Sequence, residues 1–280
     1  MEGYTTHIKP KTGWFDIDLK ELFHYKDLVT LFVKRNYTTT YKQTILGPLW
    51  LILNPLLTVC MYAFVFGNIA GLSTNGAPQF AFYLASNAIW SYFSLCITNT
   101  SNTFITNAGM FGKVYFPRLV MPIASVLTGM LSLVIQLVIL AIAIFIYIAT
   151  GTNIELDASL LLVPIFIVQT AMLGLGCGII VAACTTKYRD LNIVMKFGVQ
   201  LWMYASPVVY SADMLAGSPL YTVYMLNPMA PIITGWRKVL LGVGEIPYGE
   251  WGISWIITVF LLLLGVILFS RVEKTFMDTV

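Results

Sequence analysis

Few residues in this 280-residue chain could do chemistry. The only imidazoles are His7 and His24, with no acidic cluster beside either, so a metal site is not expected. Cys60, Cys96, Cys177 and Cys184 all fall in apolar segments without a CxxC pair and read as small buried hydrophobes. A phosphate-binding loop needs GxxxxGK followed by Ser or Thr, whose hydroxyl holds magnesium. The nearest stretch, Gly109–Val114, has the wrong spacing around Lys113 and lacks that hydroxyl. GxSxG, HExxH and a paired-carboxylate site are missing too, so the chain is expected to be no enzyme and to hold no cofactor. What remains is neutral. Asn54, Asn87, Gln136, Gln169 and Gln200 lie in apolar stretches, where hydrogen bonding between helices is their expected role. Aromatic residues make up 14% of the chain. Tyr62 and Phe66 share a helix face at i, i+4; Trp202 and Tyr204 lie close together; Trp90, Tyr92 and Phe93 form a third group. Aromatic faces hold the C–H surfaces of sugars without fixed hydrogen-bond geometry, which suits a sliding polymer. The same residues also fit an interfacial belt or a packed core.

The elements that must carry these residues are set by charge. Between Lys42 and Lys113 the chain runs for 70 residues without an Asp, Glu, Lys or Arg. Further deserts cover Leu119–Ile154, Ala158–Thr186 and Gly252–Ser270. A charge at bilayer depth costs at least about 2.5 kcal/mol, and about 20 apolar residues span the hydrocarbon. With 58% hydrophobic and 10% charged residues and a mean hydropathy of +0.80, the chain reads as an all-α integral membrane protein. Six spans are predicted, at about 48–68, 79–105, 119–149, 159–185, 192–212 and 251–270. A turn cluster of Gly67, Asn68, Gly71, Ser73, Thr74, Asn75, Gly76 and Pro78 divides the first two. The spans contain no Asp, Glu or His to relay protons, so energy for any transport is expected from another subunit. About fifty polar residues precede the first span and no cleavable leader is evident, so a secreted protein is not expected.

Six spans put both termini on one side, which collects 14 of the 16 basic residues. The opposite loops hold only Arg237 and Lys238. Positive residues mark the cytoplasmic side, so both ends are predicted there. Two segments depart from plain spans. Within the N-terminal region 1–47, Leu19, Leu22, Phe23, Val29, Phe32 and Val33 form an apolar face, predicting an interfacial helix on the inner leaflet. A soluble helix packed on a partner is the alternative. The outer stretch 214–245 is apolar but broken by Pro219, Pro228 and Pro231. Its pieces, about 219–226 and 231–241, are too short to span and predict a re-entrant helical hairpin.

Several stretches recur in order along nearly the whole chain: VKRN at 33–36, YKQTILGPLW at 41–50, NAGMFGKVYFPR at 107–118, KYRD at 187–190, YASPVVY at 204–210 and LNPMAPII at 226–233. Together with the span pattern they resemble the ABC-2 type permeases, above all the membrane subunits of exporters for O-antigen, capsular polysaccharide and teichoic acid. The resemblance implies a membrane domain over 48–271, a short cytoplasmic tail at 272–280, and a homodimer in the bacterial inner membrane. It implies two copies of a separate ABC ATPase that binds ATP and magnesium, and a lipid-linked polysaccharide substrate, with no nucleic acid partner. A coupling helix at about 107–116 would enter the ATPase, with Phe111, Lys113 and Tyr115 as its contact candidates. Lys113 and Arg118 also satisfy the positive-inside pattern alone. Spans 1 and 5 would line the polymer path, making Tyr62, Phe66, Trp202 and Tyr204 substrate-path candidates, and the hairpin would close its outer end. An exporter of drugs or other small lipophiles is the alternative within the family. A membrane-embedded glycolipid transferase is the alternative outside it, disfavoured by the scarcity of charged catalytic groups.

The division of charge makes the orientation testable on a background without the four native cysteines. A cysteine at Ser73 or Ala158 is expected to react with an impermeant thiol reagent in whole cells, and one at Thr186 to be protected. The opposite pattern would reverse the topology.

Overall fold

The computed structural model describes residues 24–42, 45–111, 116–152, 154, 157–185 and 190–279. All regular elements among them are helical. Helix α1 (Lys26–Tyr41) precedes α2 (Trp50–Tyr62), which opens with a 3-10 turn at Gly47–Leu49 and continues as a π-helix over Ala63–Ile69. Then come α3 (Gln79–Ser101), α4 (Thr103–Phe111), α5 (Val120–Ala149) and α6 (Val163–Thr185). The chain ends with α7 (Leu191–Tyr204), α8 (Leu220–Met225), α9 (Met229–Leu241) and α10 (Tyr248–Thr279). Five stretches are long and apolar enough to cross a bilayer: Gly47–Ile69, Gln79–Ser101, Val120–Ala149, Ala158–Thr185 and Tyr248–Arg271. They coincide with five of the six expected spans.

Helix α3 is the axis of the packing. It is apolar nearly all round, a pattern that belongs to a helix enclosed by others, and it is buried from Ala81 to Phe93 apart from Ser91. Helices α2, α5, α6, α7 and α9 all pack on it, and α10 packs on the far side of α6. Lipid tails give no hydrophobic drive for helix association, so close backbone approach and interhelical hydrogen bonds must hold the bundle. Small residues supply the approach. A Cβ on Gly174 or Gly178 would lie 2.5 Å from Cys96 or 2.6 Å from Thr100 of α3. On the next face, a Cβ on Gly176 would lie 2.8 Å from the Leu262 nitrogen of α10. Paired polar groups supply the hydrogen bonds. Asn87 donates to Gln136 Oε1 at 3.2 Å and Gln136 donates to Ser91 Oγ at 3.0 Å, tying α3 to α5. The Trp251 indole donates to Gln169 Oε1 at 2.6 Å, Gln169 to Ser254 Oγ at 2.9 Å, and Ser254 to the Pro228 carbonyl at 2.8 Å. That chain joins α6, α10 and the turn before α9.

Several elements differ in extent from the expectation. The span expected at 192–212 is helical only over Leu191–Tyr204, 14 residues or about 21 Å at 1.5 Å each, short of a hydrocarbon core of about 30 Å. Pro207, which has no N–H for a helix, lies in the turns that follow. The second span stops at Ser101, and the helix placed at 107–116 begins earlier, at Thr103, and is described as far as Phe111, with 112–115 outside the described residues. Residues 272–279, beyond the apolar stretch that ends at Arg271, are helical and continue α10. Helix α1 turns its apolar face onto its own chain: Phe32 is buried against Phe116, with ring centroids 5.7 Å apart, and Leu28, Val29 and Val33 pack on the same cluster as Phe269. Leu19, Leu22 and Phe23, counted in that face, lie outside the described residues.

The stretch 214–245 forms two short helices, α8 and α9, joined by Leu226, Asn227 and Pro228. Helix α9 ends at Gly242, whose φ of 73° is the left-handed conformation that glycine adopts without strain. Arg237, read from sequence as an outer loop charge, is only 3% exposed, because α9 docks against α3 and α6.

The glycine contact gives a stability test. Gly176→Ala pushes a methyl group into the Leu262 backbone, which cannot yield as a side-chain tip would, so a loss of about 1–3 kcal/mol is expected. Thermal unfolding of the solubilised protein should fall by several degrees. Gly198→Ala, whose new Cβ meets nothing within 4 Å, is the control and should unfold at or above the native temperature.

Candidate functional site

Two of the four aromatic path candidates, Tyr62 and Phe66, come together where α2 meets α7. Tyr62 and Phe66 stack edge to face, centroids 5.9 Å apart at 65°. The Tyr62 hydroxyl donates to Met203 Sδ at 3.3 Å, which fixes the α2 ring against α7. Phe66 sits where α2 widens into a π-helix, a distortion frequent at functional sites. Tyr204, at the last turn of α7, is 51% exposed and within electrostatic reach of Tyr62.

Trp202 turns elsewhere. Its ring meets Phe93 at 5.1 Å, and its N–H donates to Asn227 Oδ1 at 2.9 Å. Asn227 uses all its capacity: it donates to the Ala205 carbonyl at 2.9 Å and Ser206 Oγ at 2.8 Å, and its Oδ1 also accepts from Met229 N at 3.1 Å. Trp202 is thus part of the joint that holds the hairpin to the end of α7. One face of it still borders a depression of about 410 Å³, shared with Val223, Tyr224 and Pro228. Nothing singled out Asn227 beforehand except its place between Leu226 and Pro228.

The neutral polar groups separate into two sets. Asn87 and Gln136 are buried and bonded to one another, and Gln169 is buried and bonded to Ser254 and Trp251, as expected. Asn54 on α2 and Gln200 on α7 are exposed, and neither amide has a partner among the described residues, which corrects the expectation for both. In hydrocarbon an unpaired amide costs several kcal/mol, so residues of this kind face protein or a water-filled cavity. Uncommitted amides therefore lie on the same two helices as the Tyr62, Phe66 and Tyr204 rings. Such a surface can offer a polymer apolar contact and hydrogen bonds together.

Each end of this surface has a distinct joint. On the basic side, Arg35 of α1 donates to Asn107 Oδ1 of α4 at 3.0 Å, points a second nitrogen at Met110 Sδ at 3.9 Å, and lies 4.8 Å over the Phe32 ring. Helices α1 and α4 are therefore tied to one another. Of the coupling candidates, Lys113 and Tyr115 lie outside the described residues; Phe111 closes α4, and its side chain lies outside them too. On the opposite side, Asn75 donates to Ser211 Oγ at 3.0 Å and to the Asp213 carboxylate. Arg237 donates to the Tyr210 carbonyl at 3.1 Å and rests 4.3 Å over the Phe82 ring. Both contacts fasten the non-helical stretch after α7 near the N-terminal end of α3, the first through the loop that precedes it. A sequence signal for Arg237 existed: it shares a helical face with Ile233, Trp236 and Leu240, all of them buried.

With the helices and this surface in view, the comparisons with known proteins agree. Residues 27–241 match the ABC-2 type transporter family, and the chain belongs to it. Membership implies a membrane subunit that works with an ABC ATPase. The chain is 26% identical over 253 residues to the O-antigen export system permease protein RfbA of Klebsiella pneumoniae, covering 90% of this chain and 94% of that protein. It is 25% identical over 223 residues to the protein of the same name from Myxococcus xanthus, covering 79% and 83% respectively.

Proposed function

We propose that this chain is the membrane subunit of an ATP-driven exporter that carries a lipid-linked polysaccharide, first of all O-antigen, across the bacterial cytoplasmic membrane. One observation carries the reading: Tyr204, Asn54 and Gln200 are exposed on α2 and α7, the helices that also bear the half-buried Tyr62 and Phe66, and the two amides have no protein partner among the described residues. A polymer in transit must be held weakly at every position, because a tight site would stall it. Aromatic surfaces with a few adaptable amides meet that demand, and a small lipophile has no use for the amides. The names of the two relatives, whose likeness runs along most of the chain, favour a glycan as well.

In this reading the chain crosses the membrane six times, with both termini in the cytoplasm. The fifth crossing is α7 plus the turns after it. Asn192 is bonded to Asn102 at one end of α3, Trp202 meets Phe93 midway, and Ser211 bonds Asn75 near the other end. The non-helical part is shielded by the hairpin, which is what irregular backbone at this depth requires. Two copies bring two α2/α7 faces together around the polymer, and the paired α8–α9 hairpins close its outer mouth. A separate ATPase binds ATP and magnesium, and α4 with the residues after it, including Lys113 and Tyr115, docks on that subunit. The Arg35–Asn107 contact then passes movement of α4 to α1.

Export from a strain lacking the native gene tests the reading. The Tyr62→Ala/Tyr204→Ala pair is expected to lower surface glycan by roughly tenfold, since each aromatic anchor is worth about 1 kcal/mol or more. ATP hydrolysis by the assembled complex should continue. Unchanged export per folded complex would make the rings packing residues, and full surface glycan in the deletion strain would refute polysaccharide export.

A further inference from the structure

A second groove, about 320 Å³, lies on the cytoplasmic side of the aromatic surface, between α3 and α7. Trp90, Ser94 and Thr98 line it from α3; Lys196, Gln200 and Met203 line it from α7. Lys196 is five residues into α7, about 7 Å above its start, so it is not a loop charge. Basic residues near a membrane surface commonly extend toward water and need no further role. Here, however, the ammonium shares a groove with other polar groups that the protein leaves uncommitted. The Lys196, Gln200 and Ser94 side chains have no partner among the described residues. The Thr98 hydroxyl donates to the Ser94 carbonyl, which leaves its oxygen free to accept. Elsewhere in α3 the polar side chains of Asn87 and Ser91 are bonded to α5.

These groups form a specific chemical set. The ammonium offers three donors and a full positive charge, Gln200 two donors and an acceptor, Ser94 a donor, and Thr98 an acceptor. Charge and donors together suit phosphate oxygens, and the mixed amide and hydroxyls suit a sugar ring. The volume, at the small end for ligand pockets, fits one phosphorylated sugar and not a chain. Met203 lines the groove, and its sulfur also accepts a hydrogen bond from the Tyr62 hydroxyl. The groove therefore leads directly onto the aromatic surface.

We propose that this groove binds the phosphate–sugar junction of the lipid-linked glycan, with Lys196 on the phosphate and Gln200, Ser94 and Thr98 on the first sugar. The inference rests on the export reading and adds to it the site where a substrate is received. The head group would be held here while the chain it carries is fed between α2 and α7.

The test uses the complex of this chain with its ATPase in lipid nanodiscs. Three probes are titrated: farnesyl-pyrophosphoryl-N-acetylglucosamine, farnesyl pyrophosphate and dioleoylphosphatidylglycerol. Lys196→Gln is expected to weaken binding of both pyrophosphates by roughly tenfold or more, and Lys196→Arg to retain most of it. Gln200→Ala should weaken only the sugar-bearing probe. Two results would overturn the proposal: native affinity in both Lys196→Gln and Gln200→Ala, or no binding of either pyrophosphate by the native complex. Equal loss for all three probes in Lys196→Gln, with Gln200→Ala unaffected, would make the groove a general anionic-lipid site and refute sugar recognition. Glycan export in cells separates the two levels. Native export undiminished in Lys196→Gln rejects this groove alone, whereas surface glycan independent of the whole chain rejects the export reading.

Discussion

In hydrocarbon a polar group must find its partner within the protein, because no water is there to supply one. That constraint organises most of this molecule. Asn87, Ser91 and Gln136 answer one another between α3 and α5; Trp251, Gln169, Ser254 and the Pro228 carbonyl do so between α6, α10 and the hairpin. Each such set is worth about 1–2 kcal/mol at most in a membrane. Its larger effect is specificity, since any other packing would strand several buried groups. Asn54 and Gln200 depart from that constraint, as do Asn68, Gln79 and Asn99, whose amides have no partner among the described residues either. In the proposed exporter the two on α2 and α7 face glycan and not lipid.

The outer closure follows the same logic with a charge. Arg237 is buried with one carbonyl and one aromatic face as its close partners, and no ion pair is formed there among the described residues. Burying a guanidinium is expensive unless it is well paired. The hairpin is therefore held by contacts that are adequate without being tight, beside an Asn227 joint that is fully bonded. In the proposed exporter, this combination of fixed pivot and modest latch suits a seal that opens for a polymer and closes again.

Much of the fold was legible in the sequence because charge deserts and prolines act locally. Five spans stand where the uncharged stretches put them, and Pro219 and Pro228 mark the starts of α8 and α9. Gly174 and Gly178, four residues apart on one face of α6, both lie against α3. What failed depends on neighbours. Hydropathy continues past Tyr204, yet α7 stops there, because Ala205 and Ser206 bond the hairpin's Asn227. Composition could not tell Gln169, which has Ser254 and Trp251 beside it, from Gln200, which has no partner among the described residues. Trp202 and Tyr204 looked equivalent as path residues, but two residues on a helix are about 200° apart, so one ring turned to the hairpin and the other did not.

The central claim is that the α2/α7 face meets glycan and not lipid. A photoreactive amino acid at Asn54 or Tyr204, activated during export, tests it most directly, with Phe145 on the exposed face of α5 as the lipid-facing control. The account predicts adducts that carry the glycan from Asn54 and Tyr204 and none from Phe145. Adducts to lipid alone at all three positions would contradict it.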